Sequence, residues 1–225
     1  MTKYYAWGAV VAVVLLIVAM VTLTMGGWGP DDKYAQCRTT QAAGGVGSIG
    51  GPFTLVDFNG KTVSSEEVID QPSLLYFGYT FCPDVCPLDN SRNAEAVGIL
   101  DQRGKTIKPI FISVDPDRDT PEMLRSFTET LDSIIDGVDS VSGNLETPRY
   151  LGLTGSHEQV AAASQAYRTY YKKQEPEEGD EEYYLIDHST WSYLVFPGEG
   201  LVGLFRRDET PEQTADRIGC FLDAR

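Results

Sequence analysis

Three patterns of apolar and polar positions succeed one another along the chain. From Tyr4 to Met25 there is no charge, and the centre of that stretch, AVVAVVLLIVAMVTL, is apolar throughout. At about 1.5 Å per residue, the stretch from Tyr4 to Met25 reaches about 33 Å, the thickness of a bilayer core. No A-x-A-like cleavage site lies near Met25-Gly26-Gly27, so the pattern predicts a retained transmembrane signal anchor over 1–25 rather than a cleaved signal peptide. Lys3 and the α-amino group flank one side, Asp31 and Asp32 the other. The positive-inside rule then places the N-terminus in the cytoplasm of a bacterial inner membrane and the rest of the chain in the periplasm. Residues 26–51, rich in Gly, Ala and Thr, read as a flexible tether carrying Cys37.

From residue 52 to 225 short apolar runs alternate with helix-compatible segments. Phe53–Asp57 and Lys61–Val63 read as a hairpin turned by Asn59-Gly60. Ser73–Tyr79 (SLLYFGY) and Pro109–Val114 (PIFISV) show little alternation, as central parallel strands covered on both faces do. Between them Leu88–Arg103 has helical spacing and stops at Gly104, and Asp119-Thr-Pro-Glu122 opens a helix running to about Asp132. A strand at Tyr150–Leu153 and a capping box, Ser156-x-x-Gln159, introduce a helix through Tyr167. The acidic run 175–182 reads as a solvated loop. After it come a strand at Tyr183–Asp187, an antiparallel pair at Tyr193–Phe196 and Leu201–Phe205, and a helix capped by Thr210. A βαβ core followed by a hairpin and a helix predicts an α/β, thioredoxin-like fold, with a mixed central sheet flanked by helices.

Charge narrows the functional classes. Eighteen Lys and Arg against 33 Asp and Glu leave a net charge of -15, which repels a phosphate backbone and argues against nucleic-acid binding. Four Cys and two His are a small inventory for thiol or metal chemistry.

Cys82-Pro-Asp-Val-Cys86-Pro follows a central strand and precedes a helix, so the sulfurs belong to the carboxyl end of the sheet, where α/β proteins place their sites. A helix start favours the thiolate, and a four-residue spacing allows the sulfurs to share a metal or to close into a disulfide. A static structural disulfide competes with both readings. Structural zinc lacks a second pair of ligands. His188 lies just past a predicted strand and can reach the same sheet edge; two thiolates and one imidazole suit copper by softness. His157, in the first turn of a capped helix, reads as a surface residue. Cys37 and Cys220 could bond within the chain, pair between chains or stay free.

Four ordered motifs then carry a resemblance. Tyr76-Phe-Gly-Tyr-Thr-Phe-Cys82-Pro-Asp-Val-Cys86-Pro, Phe111-Ile-Ser-Val-Asp115-Pro-Asp-Arg118-Asp-Thr-Pro121-Glu, Gly152-Leu-Thr-Gly155 and Asp187-His188-Ser189 resemble the Sco/SenC family of membrane-anchored copper proteins. The resemblance runs from about Phe53 to the C-terminus. It implies one copper ion, Cu(I) or Cu(II), on Cys82, Cys86 and His188, with Asp84 and Asp115 near the site and not ligands. It implies a role in assembling the binuclear copper centre of cytochrome c oxidase subunit II, served by a periplasmic copper donor or thiol reductant. It also carries a second activity, thiol-disulfide exchange on the oxidase subunit's cysteines through Cys82 and Cys86. Trp191 stands where an ordinary thioredoxin has a cis-proline, which favours the metal reading over a dedicated redox enzyme.

Overall fold

A computed structural model describes residues 7, 12–20, 32–39, 47, 49–137, 148–176 and 183–225. The chain divides into two units, Met1–Ala35 and Gln36–Arg225. In the first, residues 12–20 are helical. The expected membrane-spanning helix over 1–25 is corrected here: among the described residues no helix is long and apolar enough to cross a membrane. The helical stretch 12–20 reaches about 14 Å at 1.5 Å per residue, against about 30 Å of hydrocarbon. Residues 21–31 and 40–46 of the anchor and tether, and 177–182 of the acidic run, lie outside the described residues.

The second unit holds nine strands and five helices among its described residues: β1 (Thr54–Asp57), β2 (Thr62–Ser64), α1 (Ser65–Val68), β3 (Ser73–Gly78), α2 (Val85–Gln102), β4 (Lys108–Ser113), α3 (Pro121–Asp136), β5 (Leu151–Thr154), α4 (His157–Ala166), β6 (Tyr171–Lys173), β7 (Ile186–His188), β8 (Ser192–Phe196), β9 (Gly200–Phe205) and α5 (Pro211–Asp223). Seven strands form one sheet in the order β2-β1-β5-β4-β3-β8-β9; β6 and β7 form a separate ribbon. Strands β3, β4 and β5 run parallel and the other pairs antiparallel, so the sheet is mixed.

Every residue of β3 is buried, as its unbroken apolar run requires of a strand covered on both faces. On one face Tyr76 and Phe111 stack with ring centroids 6.4 Å apart, and Phe111 meets Phe127 of α3 at 4.8 Å. On the other, Phe77 and Tyr193 close around Tyr167, the residue that ends α4. Capping matches the sequence: Ser64, Ser156 and Thr210 each form a reciprocal capping box, and Thr120 caps α3 before Pro121. Gly60 takes a φ of +78° in the β1–β2 hairpin, the left-handed conformation that only a glycine adopts without strain.

Element boundaries moved in two places that matter. Helix α2 starts at Val85, three residues earlier than the periodicity indicates, because the first turn can hold Pro87 without loss: its N–H would have no intrahelical partner there. The strand expected at Tyr183–Asp187 is β7, Ile186–His188, paired only with the short polar β6, which places His188 opposite Tyr171.

Candidate metal centre

The site begins where β3 leaves the sheet. Cys82 lies in the turn, its N–H donating to the Tyr79 carbonyl at 3.3 Å, while Cys86 is in the first turn of α2 and fully buried. Asp84, the N-cap of α2, makes no side-chain capping bond. The Cys82 sulfur fills that role instead, accepting from the Cys86 N–H at 3.4 Å. A four-residue spacing therefore aims one sulfur at the helix N-terminus and sets the other inside it, with the unpaired N–H groups of the first turn favouring an anion.

The two thiols are unequal. That of Cys82 is lowered to about 3, chiefly by the hydrogen bond from Cys86, with burial opposing and with His188 and the backbone N–H groups of Asp84 and Cys86 assisting. Burial pushes the Cys86 thiol up, and the neighbouring Cys82 anion adds to the effect. The two shifts run in opposite directions, so Cys82 is the thiol that gives up its proton first.

His188 closes the group. Its Nε2 is 3.2 Å from the Cys86 sulfur, and the two sulfurs and the imidazole nitrogen all lie within 4.8 Å of one another. The ring's other nitrogen, Nδ1, is 2.9 Å from the Ser189 carbonyl. A carbonyl can only accept, so Nδ1 carries a hydrogen and Nε2 is the nitrogen that faces the sulfurs: a protonated ring donates from it to the Cys82 thiolate, and a neutral ring offers its lone pair there to a metal. Tyr76 and Tyr79 meet the imidazole edge-on at 6.1 and 5.8 Å and hold its plane. Tyr76 is itself fixed by donating to the buried Asp89 at 2.8 Å, and Tyr79 accepts the Ile186 N–H at 3.2 Å. Two soft sulfurs and one preset imidazole nitrogen are a donor set for a soft or borderline cation such as copper.

Other residues singled out from the sequence fall around this group. Asp115 is buried and outside the ligand cluster; it accepts from Tyr184 Oη at 2.7 Å and pairs with Arg118 at 2.5 Å, bracing the segment that leads to His188. Asp84 is exposed and acts through its backbone N–H. His157 is exposed, paired with Asp117 at 3.0 Å and not part of the cluster. Cys37 and Cys220 are bonded to each other within the chain, and Arg38 donates to the Val202 carbonyl at 2.9 Å, so residues 37–38 of the stretch read as a tether are fastened to the domain.

Two participants escaped the sequence reading. Gly78 leaves room for the site: a Cβ there would lie 2.8 Å from the Cys86 sulfur. Asp119 takes hydrogen bonds from Thr80 and Ser113 at the root of the thiol turn. The first looks like any strand glycine, and the second like a helix-start residue.

A thioredoxin-like domain with a dithiol and an imidazole at the end of its central strand defines a class: thiol proteins equipped to hold a soft metal. Residues 41–223 match the SCO1/SenC family. The chain is 46% identical over 223 residues to protein SenC of Rhodobacter capsulatus, covering 99% of this chain and 91% of that one. Among solved structures it is similar to Arabidopsis thaliana ScoI with copper bound (33% identity, TM-score 0.66, 78% of this chain and 99% of that one). Bradyrhizobium japonicum ScoI with copper bound is likewise similar (34% identity, TM-score 0.62, 76% and 98%). The chain belongs to the SCO1/SenC family. BsSco, a solved structure with the same fold (24% identity, TM-score 0.58), is a member of the Sco family of cytochrome c oxidase assembly proteins.

Proposed function

We propose that this domain binds one copper ion, as Cu(I) or Cu(II), through Cys82, Cys86 and His188, and delivers it to subunit II of cytochrome c oxidase as its binuclear copper centre is assembled. The observation that carries this reading is the convergence of both sulfurs with an imidazole whose Nε2 faces them while Nδ1 is held by the Ser189 carbonyl. Thiolates favour Cu(I), and the imidazole extends the site's tolerance to Cu(II). Oxidising the two cysteines to a disulfide withdraws two of three ligands at once, so the thiol state gates loading and release. A copper donor or thiol reductant in the same compartment would then set the supply. The bond between Cys37 and Cys220 supports an oxidising setting, in our reading the bacterial periplasm.

A second reading, thiol-disulfide exchange on the oxidase subunit's cysteines, is favoured by the inequality of the pair: a lowered Cys82 thiol beside a buried Cys86 thiol pushed up is the arrangement of an attacking and a resolving thiol. Mixing the copper-loaded chain with a metal-free, reduced subunit II domain separates the two. Copper appearing on the acceptor, and not when Cys82 and Cys86 are first oxidised, supports delivery. Reduction of an oxidised acceptor without metal movement makes exchange the primary activity.

A further inference from the structure

Asp119 is almost wholly buried, 1% exposed, and forms no ion pair among the described residues. Its carboxylate lies between the two central parallel strands just beyond their ends. It accepts from the Thr80 N–H at 3.0 and 3.2 Å on its two oxygens, from Thr80 Oγ1 at 2.6 Å and from Ser113 Oγ at 2.5 Å. Thr80 is two residues before Cys82 and 39 residues from Asp119. Ser113 is the last residue of β4 and pairs with Gly78, the last of β3. The Asp119 backbone is held in turn: its N–H donates to the Asp115 carbonyl at 2.9 Å, and Thr120, next in the chain, caps α3.

Packing alone does not ask for an acid here. Ionising a carboxyl in this position is opposed by burial and by the nearby charge of Asp115. What the acid supplies is geometry. It takes three donors on two oxygens, ties the turn to the end of β4 and leaves the Thr80 N–H no freedom to rotate away, so the chain enters Cys82 at a set angle.

We infer that Asp119 is a positioning residue for the thiol site: through Thr80 it holds the turn so that the Cys82 sulfur meets the Cys86 N–H and His188. The consequence for metal binding rests on the copper reading above; the consequence for the thiol does not. Losing the carboxylate leaves β3, β4 and α2 paired and packed as before but lets Cys82 leave the cluster.

The test compares wild type with Asp119→Ala, Asp119→Asn and Thr80→Val. It uses Cu(II) affinity by chelator competition, the thiolate-to-copper absorption band and the alkylation rate of Cys82 in the metal-free, reduced protein. In Asp119→Ala the inference expects affinity 10- to 100-fold weaker, a shifted band and a Cys82 alkylation rate changed several-fold. Asp119→Asn can still accept from the Thr80 N–H, and Thr80→Val keeps that bond while losing the hydroxyl, so both should fall between. Should Asp119→Ala fail to fold, the two milder variants decide the matter at wild-type melting temperature. Wild-type affinity, band and alkylation rate in the folded variants overturn the inference. If wild type itself retains no copper, the copper reading fails, and the alkylation rates alone judge Asp119.

Discussion

Replacing Gly78 by alanine adds one methyl group at the most crowded point of the site. The new carbon would lie 2.8 Å from the Cys86 sulfur, 2.9 Å from Tyr76 Cε1 and 3.2 Å from Phe111 Cε2. Comfortable contacts between such atoms are about 3.5–4.0 Å, so each neighbour must retreat by several tenths of an ångström to about 1 Å. Tyr76 is fastened to Asp89, and Phe111 is wedged between Tyr76 and Phe127. The sulfur is the easiest to displace, and it sits 3.2 Å from His188 Nε2. Overpacking of this kind costs about 1–3 kcal/mol, which for a domain of this size lowers the melting temperature by roughly 2–12 °C. Moving a ligand atom off its position should weaken copper binding about 10- to 100-fold, on the scale of other changes beside metal ligands. Gly152→Ala is the matched control: its added carbon meets Leu124 Cβ at 3.1 Å and Thr128 Cγ2 at 3.3 Å, so its crowding falls on α3. Chelator competition and thermal melts on both variants give the answer. Gly78→Ala should lose affinity and stability, Gly152→Ala stability alone; equal copper affinities in the two refute the argument that Gly78 makes space for the ligand sulfur.

Two further outcomes follow from the same contacts. Cys37 and Cys220 lie 183 residues apart, and closing a loop of that length restricts the unfolded chain by about 5 kcal/mol, so the double serine variant should unfold at markedly lower urea concentration under non-reducing conditions; a loss below about 1 kcal/mol contradicts this. The carboxyl of Asp119 is raised to about 6 by burial, from an ordinary value near 4. The folded state therefore holds that proton more tightly than the unfolded state; the contribution is fully present below about pH 4 and is lost as pH rises through 6, a change of about 3 kcal/mol. Asp119→Asn cannot ionise, so its metal-free stability relative to wild type should improve by up to that amount between pH 4 and pH 7, and a flat difference in urea unfolding refutes the assignment.

The thioredoxin-like architecture was legible because its signals are local and strong: the unbroken apolar runs of β3 and β4, the capping residues Ser64, Thr120, Ser156 and Thr210, and the Asn59-Gly60 turn. The grouping of Cys82, Cys86 and His188 was legible because there are so few thiols and imidazoles to choose from. The start of α2 was not, since Val85, Cys86 and Pro87 carry no helical periodicity of their own and the helix begins where the Cys86 N–H finds the Cys82 sulfur. Strand β6, Tyr-Lys-Lys, carries no apolar alternation and forms only against β7, so no local signal announces it. The role of Gly78 lies in how closely the strand approaches the Cys86 sulfur and that of Asp119 in Thr80, 39 residues away, and single-sequence patterns register neither. The apolar run near the N-terminus was read by length and composition alone, and the described residues there contain no spanning helix.

The central claim is that one copper ion is held by two sulfurs and one imidazole. Its most direct test loads the reduced chain with Cu(II) without oxygen and compares wild type with Cys82→Ser, Cys86→Ser and His188→Ala by metal analysis and by absorption and electron paramagnetic resonance spectra. The account predicts one equivalent of copper with intense thiolate charge-transfer bands in wild type, no retained copper in either serine variant, and weakened Cu(II) binding with altered spectra but intact thiol exchange in His188→Ala. Wild-type stoichiometry and spectra in His188→Ala, or full copper retention after loss of either cysteine, would contradict it.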